Sequence, residues 1–195
     1  MLTIDLLRHG ELHGGTKYRG HSDDPLTPKG EAQMDAVWSK LANTVEIILC
    51  SPLRRCRQPA EKWAQQCAIP LQIEPRLKEL HYGAWEGKTI QQISQTHGDM
   101  LRQWRHDPRG MTPPEGESMD DFHLRLRTFW LQLCEEQAGR HVLIVGHSGI
   151  NRTLLAIALG ASLATSRRMQ LPYGCWSRVE RSQGEVQLAF HNRQP

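Results

Sequence analysis

Residues 3–10 read TIDLLRHG and residues 142–147 read VLIVGH. Each is a short, nearly continuous apolar run, the pattern of a strand buried on both faces, and each leads into a histidine beside a glycine. Strands covered on both faces belong to a sheet enclosed between helices. Similar short runs recur at Ile47–Cys50 and Leu71–Ile73, and helical periodicity fills the intervals. Met34, Val37, Trp38 and Leu41 fall at i, i+3, i+4 and i+7 behind Thr27-Pro28, which reads as an N-cap and a first-turn proline. Leu53, Cys56, Ala60, Trp63, Ala64 and Cys67 form a second stripe behind Ser51-Pro52, read in the same way. Ser118 and Asp121 have the spacing of a capping box. The stripe Met119, Phe122, Leu126, Phe129, Leu133 follows them and stops near Gly139. A further helix is expected over 150–159, and residues 176–180 and 186–190 read as a hairpin around Gly184. The alternation predicts an α/β fold, a three-layer sandwich with a mostly parallel central sheet flanked by helices. Ligands bind outside the carboxyl ends of such strands. His9 and His147 are therefore expected on one rim.

The 195 residues suffice for one domain with a substantial core, so a single domain over 1–195 is expected. Within it, residues 77–117 are irregular and read as a lid or insert. They carry amphipathic helical patches at 90–96 and 100–105, then a Pro/Gly-rich loop over 107–117. A mean hydropathy of -0.55 argues against membrane residence, and the longest apolar stretches fall far short of the roughly 20 residues of a spanning helix. No basic region precedes the first apolar run, so no secretory signal is expected. Five widely spaced cysteines (Cys50, Cys56, Cys67, Cys134, Cys175) without a CxxC pair read as buried free thiols in a reducing cytoplasm, not as a disulfide framework or a zinc site. A net charge of +3 with no Lys/Arg run gives no nucleic-acid footprint. The doublets Arg54-Arg55 and Arg167-Arg168 fit phosphate binding and plain solvation equally. Oligomeric state is open; an apolar edge strand near the C-terminus could pair two copies into a homodimer.

The chemistry concentrates at a few points. A cation beside a histidine is costly if the imidazole is protonated, but sensible if it is neutral and an anion binds between them; this is the situation of Arg8 and His9. Gly10 allows close backbone approach. Arg54 and Arg55 fall at a helix N-terminus, where the macrodipole disfavours cations unless an anion is held nearby. Arg55 is the expected phosphate ligand and Arg54 is expected to face solvent. Glu79 lies in a segment of aromatics and glycines, KELHYGAWEG, with Glu86 as the competing carboxylate.

In this order the pieces resemble the histidine phosphatase superfamily, the phosphoglycerate mutase-like fold. The resemblance is carried by Leu7-Arg8-His9-Gly10-Glu11, Pro25-Leu26-Thr27 with Gly30 and Gln33, and Ser51-Pro52-Leu53 with Arg55. It continues through Glu79 with Gly83, Trp85 and Gly87, then Gly116-Glu117-Ser118 and Val145-Gly146-His147. It implies a phosphatase with His9 as nucleophile, Glu79 as proton donor, and Arg8, Arg55 and His147 around the phosphate. It also implies no metal and no cofactor, and a small-molecule phosphomonoester as partner rather than nucleic acid or membrane. Within the superfamily, Tyr18-Arg19-Gly20-His21, residues 79–87 and Gly174-Cys175-Trp176-Ser177 with Phe190-His191-Asn192 look most like the alpha-ribazole phosphatases, which act on the nucleoside of cobalamin's lower ligand. Many relatives have Thr or Ser after the RHGE tetrad and an Asn soon after; here Leu12 and His13-Gly14-Gly15 stand instead. The alternatives are a phosphosugar or broad-specificity phosphatase, a mutase, or a non-enzymatic phosphate-binding scaffold.

Overall fold

The computed structural model describes all 195 residues. Its elements are β1 (Leu2–Arg8), α1 (Pro28–Leu41), β2 (Ile47–Cys50), α2 (Arg54–Cys67), β3 (Leu71–Ile73), α3 (Ile90–His106) and α4 (Met119–Glu136). β4 (His141–Gly146), α5 (Ser148–Ala158), α6 (Leu163–Ser166), β5 (Trp176–Ser182) and β6 (Glu185–Arg193) complete the chain. The sheet runs β3-β2-β4-β1-β5-β6. Its first four strands are parallel, and the β5–β6 hairpin joins antiparallel beside β1.

The apolar runs sort their residues by alternation, as strand geometry requires. Ile4, Leu6, Val142 and Ile144 face one core, shared with Phe122, Leu126, Phe129 and Leu154 of α4 and α5. Leu7, Leu143, Val145 and Ile48 face the other, with Met34, Val37 and Trp38 of α1 and Trp63 of α2. Trp38 and Trp63 stack at 5.2 Å and join the two helices over that face. The helix layers thus lie on opposite faces, as the alternation predicts. Arg8 pairs in register with Gly146, so His9 and His147 leave the sheet side by side.

Local differences have physical reasons. Ser51 does not cap α2: its hydroxyl accepts from Leu53 N within the turn, and Leu53 holds the cap position without a side-chain bond. The two helical patches of residues 90–105 belong to one helix, α3, bent at His97 and started by a Thr89/Gln92 capping box. Of the five cysteines, Cys67 is exposed and four are buried.

One interruption of the apolar pattern is structural. Asp5 is fully buried in the middle of β1. Arg178 of β5 donates to both its oxygens at 3.0 and 2.9 Å, and His141 Nε2 lies 2.6 Å from Oδ2. The carboxylate thereby ties β1 to both of its neighbours. Because removing one partner of a buried ionic cluster leaves the others uncompensated, Asp5→Ala is expected to cost about 3–5 kcal/mol, read as a lowered urea midpoint.

Candidate active site

The carboxyl ends of β1 and β4 place His9 and His147 with ring centroids 5.3 Å apart. His9 Nδ1 lies 2.8 Å from Gly10 O. A carbonyl only accepts, so this bond requires the proton on Nδ1 and leaves Nε2 as a free lone pair. Burial, then the cations of Arg55 and Arg8, hold the His9 pKa well below the ordinary histidine range. The imidazole is neutral, as a nucleophile needs.

His147 is neutral by the same logic. Its Nδ1 accepts from Arg55 Nε at 3.2 Å, which places the proton on Nε2, 2.8 Å from Ser51 Oγ. Burial and Arg55 again push its pKa well down. The resemblance implies His147 at the phosphate; its surroundings oppose a cationic imidazole in that place. Arg55 is itself fully buried. It donates to Gly20 O at 2.8 Å and Ser22 O at 2.6 Å, so three of its five N–H bonds are committed to the protein. Arg54 is half-buried, with its Nε enclosed, where solvent exposure was expected.

Arg8 donates to Leu171 O and lies 4.1 Å above the Tyr173 ring, while its buried Nε has no partner within the chain. Glu79 sits against the N-terminus of α5, accepting from Gly149 N at 2.9 Å and from Leu80 N at 3.0 Å. Gly149 is what permits this, since a Cβ there would lie 2.4 Å from Glu79 Oε1. Burial raises the Glu79 pKa, and the two N–H groups only partly oppose it. Arg8, His9 and Glu79 line one cleft of about 310 Å³ with Tyr18, Tyr82, Tyr173 and a cationic rim, a size suited to a small molecule. Of the five residues read from the sequence, these three line the cleft; His147, its ring 5.3 Å from that of His9, and Arg55, bonded to His147, are fully buried.

The sequence did not single out Glu86 for its actual task. Its carboxylate accepts from the backbone N–H of Gly20 (3.1 Å), His21 (2.9 Å), Ser22 (3.2 Å) and Tyr82 (3.1 Å). Burial pulls its pKa up, but these N–H groups prevail and hold it low. Glu86 therefore shapes the segment whose carbonyls hold Arg55. Arg19 secures the preceding turn through Asp24 (2.5 Å), Gly15 O and His13 O.

The profile of the histidine phosphatase superfamily (branch 1) matches residues 4–194. This chain belongs to that family. Like others of the superfamily, it is a phosphatase. Among curated relatives, the adenosylcobalamin/alpha-ribazole phosphatase of Escherichia coli K12 is 29% identical over 190 residues, covering 96% of this chain and 94% of the relative. GpmB of Photorhabdus laumondii, which carries the name of a phosphoglycerate mutase, is 34% identical over 188 residues, covering 92% and 85%. Among solved structures, Bacillus stearothermophilus YhfR superposes with a TM-score of 0.89 at 27% identity, covering 97% of this chain and 96% of that one. The alpha-ribazole phosphatase from Shigella flexneri gives 0.84 at 28%, covering 98% and 96%.

In this histidine phosphatase the Glu86 anchor has a measurable weight. Glu86→Ala frees the 20–22 segment and with it Arg55. Because small misplacements of a reacting group are costly, kcat/KM on p-nitrophenyl phosphate is expected to fall about 10²-fold. Glu86→Gln, which keeps an acceptor oxygen, should lose less.

Proposed function

We propose that this phosphatase works through a phosphohistidine on His9 and that its substrate is alpha-ribazole 5′-phosphate, in the assembly of the nucleotide loop of cobalamin. The observation that carries the first part is the neutral His9 with Nδ1 tied to Gly10 O and Nε2 left for the cleft it shares with Arg8 and Glu79. The substrate is supported by the alpha-ribazole phosphatases among the relatives and by the three tyrosines of the cleft, which suit a flat heteroaromatic base.

Phosphate monoesters resist hydrolysis because the dianion repels nucleophiles and an alkoxide leaves poorly. Arg8 gathers the phosphoryl oxygens, and Arg55 adds its charge from behind the histidines. The Nε2 lone pair of His9 then forms the N–P bond as the P–O bond breaks, and protonated Glu79 gives its proton to the departing oxygen. The carboxylate so formed takes a proton from water, whose oxygen displaces His9 from phosphorus. Phosphate leaves and His9 is neutral again. His147, hydrogen-bonded to Ser51 and Arg55, fixes the geometry behind the nucleophile. In this reading residues 1–195 act as one domain, and residues 77–117, which supply Tyr82 and Ile90 to the cleft wall, are its lid. Free cysteines fit a cytoplasmic setting.

Acid-labile phosphate should be trapped on the wild type and be absent from His9→Ala; full turnover by that variant would overturn the mechanism. Glu79→Gln should lose about 10²–10⁴-fold in kcat on alkyl phosphates and much less on p-nitrophenyl phosphate, whose leaving group needs no proton. Lowering the pH through the ordinary histidine range near 6.5 should leave kcat/KM level or higher. His9 stays neutral there because its pKa lies well below, while the proton that Glu79 must donate is lost as pH rises past its raised pKa. A panel of phosphomonoesters tests the substrate: indifference to alpha-ribazole 5′-phosphate removes that assignment and leaves the broader phosphatase.

A further inference from the structure

The doublet Arg167-Arg168 divides in the fold. Arg168 is exposed, whereas Arg167 is half-buried and lines the cleft of His9 together with Arg152 of α5. Both arginines also line the adjoining small cavity walled by Trp104, Met119 and Phe122, which puts them on the α3–α4 side of the cleft. The cations that weigh most on His9 are instead Arg55, Arg8 and Arg19. Arg8 and Arg19 line the same cleft as Arg152 and Arg167, which therefore carries two pairs of cations.

Four other arginines that are wholly or partly buried have carboxylate partners, Arg19 with Asp24, Arg76 with Glu74, Arg125 with Glu117 and Arg178 with Asp5, while Arg8, Arg54 and Arg55 lack one. Arg152 and Arg167 have none. Arg152 Nε donates to Met169 O at 3.0 Å, which fixes its direction without neutralising it. Burial, and next the charge of Arg167, lower the pKa of Arg152. Like charges held together out of water are unfavourable unless an anion compensates them. Two guanidinium groups match a phosphate, with its two charges and several acceptor oxygens, better than a singly charged carboxylate.

We propose that Arg152 and Arg167 form a second anion subsite, which takes a phosphate group carried on the alcohol portion of the substrate while Arg8 and His9 hold the phosphoryl group to be transferred. This rests on the phosphomonoesterase reading of His9 and deepens it: alpha-ribazole 5′-phosphate fills one subsite, and a molecule in which that ester carries a further phosphate group fills both. Tyr18 and Tyr82 line the same cleft as both pairs of cations.

Calorimetric binding of alkane α,ω-bisphosphonates of increasing length, each against the alkylphosphonate of the same length, tests the subsite without turnover. One length should bind about tenfold or more tightly than its monophosphonate, the scale of one good charge-assisted contact. Arg167→Gln should remove most of that gain, and Arg168→Gln should keep it. Arg152→Gln should act like Arg167→Gln, with far-ultraviolet circular dichroism checking its fold. A gain no larger than the statistical twofold at every length overturns the subsite, as does a gain that survives Arg167→Gln. Turnover of p-nitrophenyl phosphate is followed in parallel. Its failure with the bisphosphonate preference intact would overturn the phosphohistidine reading and leave the subsite standing.

Discussion

The guanidinium of Arg55 is the contact on which this site depends. It is a buried cation with no carboxylate partner, and Gly20 O, Ser22 O and His147 Nδ1 take the place of water around it. That charge is the nearest strong reason, after burial, that both histidines remain neutral. After burial, the neutral state of His9 thus depends most on a residue of α2, whose own position is set by a loop. Glu86 and Arg19 stiffen that loop through backbone groups. Sheet, helix and loop meet at one cation.

Glu79 is held under opposing demands. Hydrogen bonds from Gly149 and Leu80 at the start of α5 favour its carboxylate, as a helix N-terminus does. Burial favours the acid. Burial prevails and raises its pKa, which suits the proton-donor role proposed for it. The balance depends on the missing side chain at Gly149, so a glycine in a helix, normally a weak point, is here what lets acid and backbone meet.

The fold was legible because its parallel strands are covered on both faces: β1, β2 and β4 announce themselves as nearly continuous apolar runs, and the rule of strand ends then placed His9 and His147 together. The capping of α2 was misread because Ser51 has another partner; its hydroxyl serves His147 across the rim, a contact between residues 51 and 147 that no local spacing encodes. The patches within α3 looked separate because the bend at His97 breaks the periodicity. Glu79 and Glu86 could not be ranked by pattern alone, since both act through backbone N–H groups that carry no residue identity. Nor does any motif separate Arg167 from Arg168; only the packing beyond α6 turns one inward.

The sheet order carries a consequence for how the protein is made. β1 is the first strand in the chain, but its neighbours are β4 and β5, with Thr3 opposite His141 and Leu7 opposite Trp176. The strand that leads into His9 therefore has no partner during most of synthesis, and closing so long a loop is a slow step. β2 and β3 can pair early; β1 can only be inserted late, between strands from the far end of the chain. Until then it is an unpaired apolar edge, open to wrong pairing. Maturation of the catalytic rim and closure of the sheet are one event, so no partly assembled form of this protein has chemistry of its own.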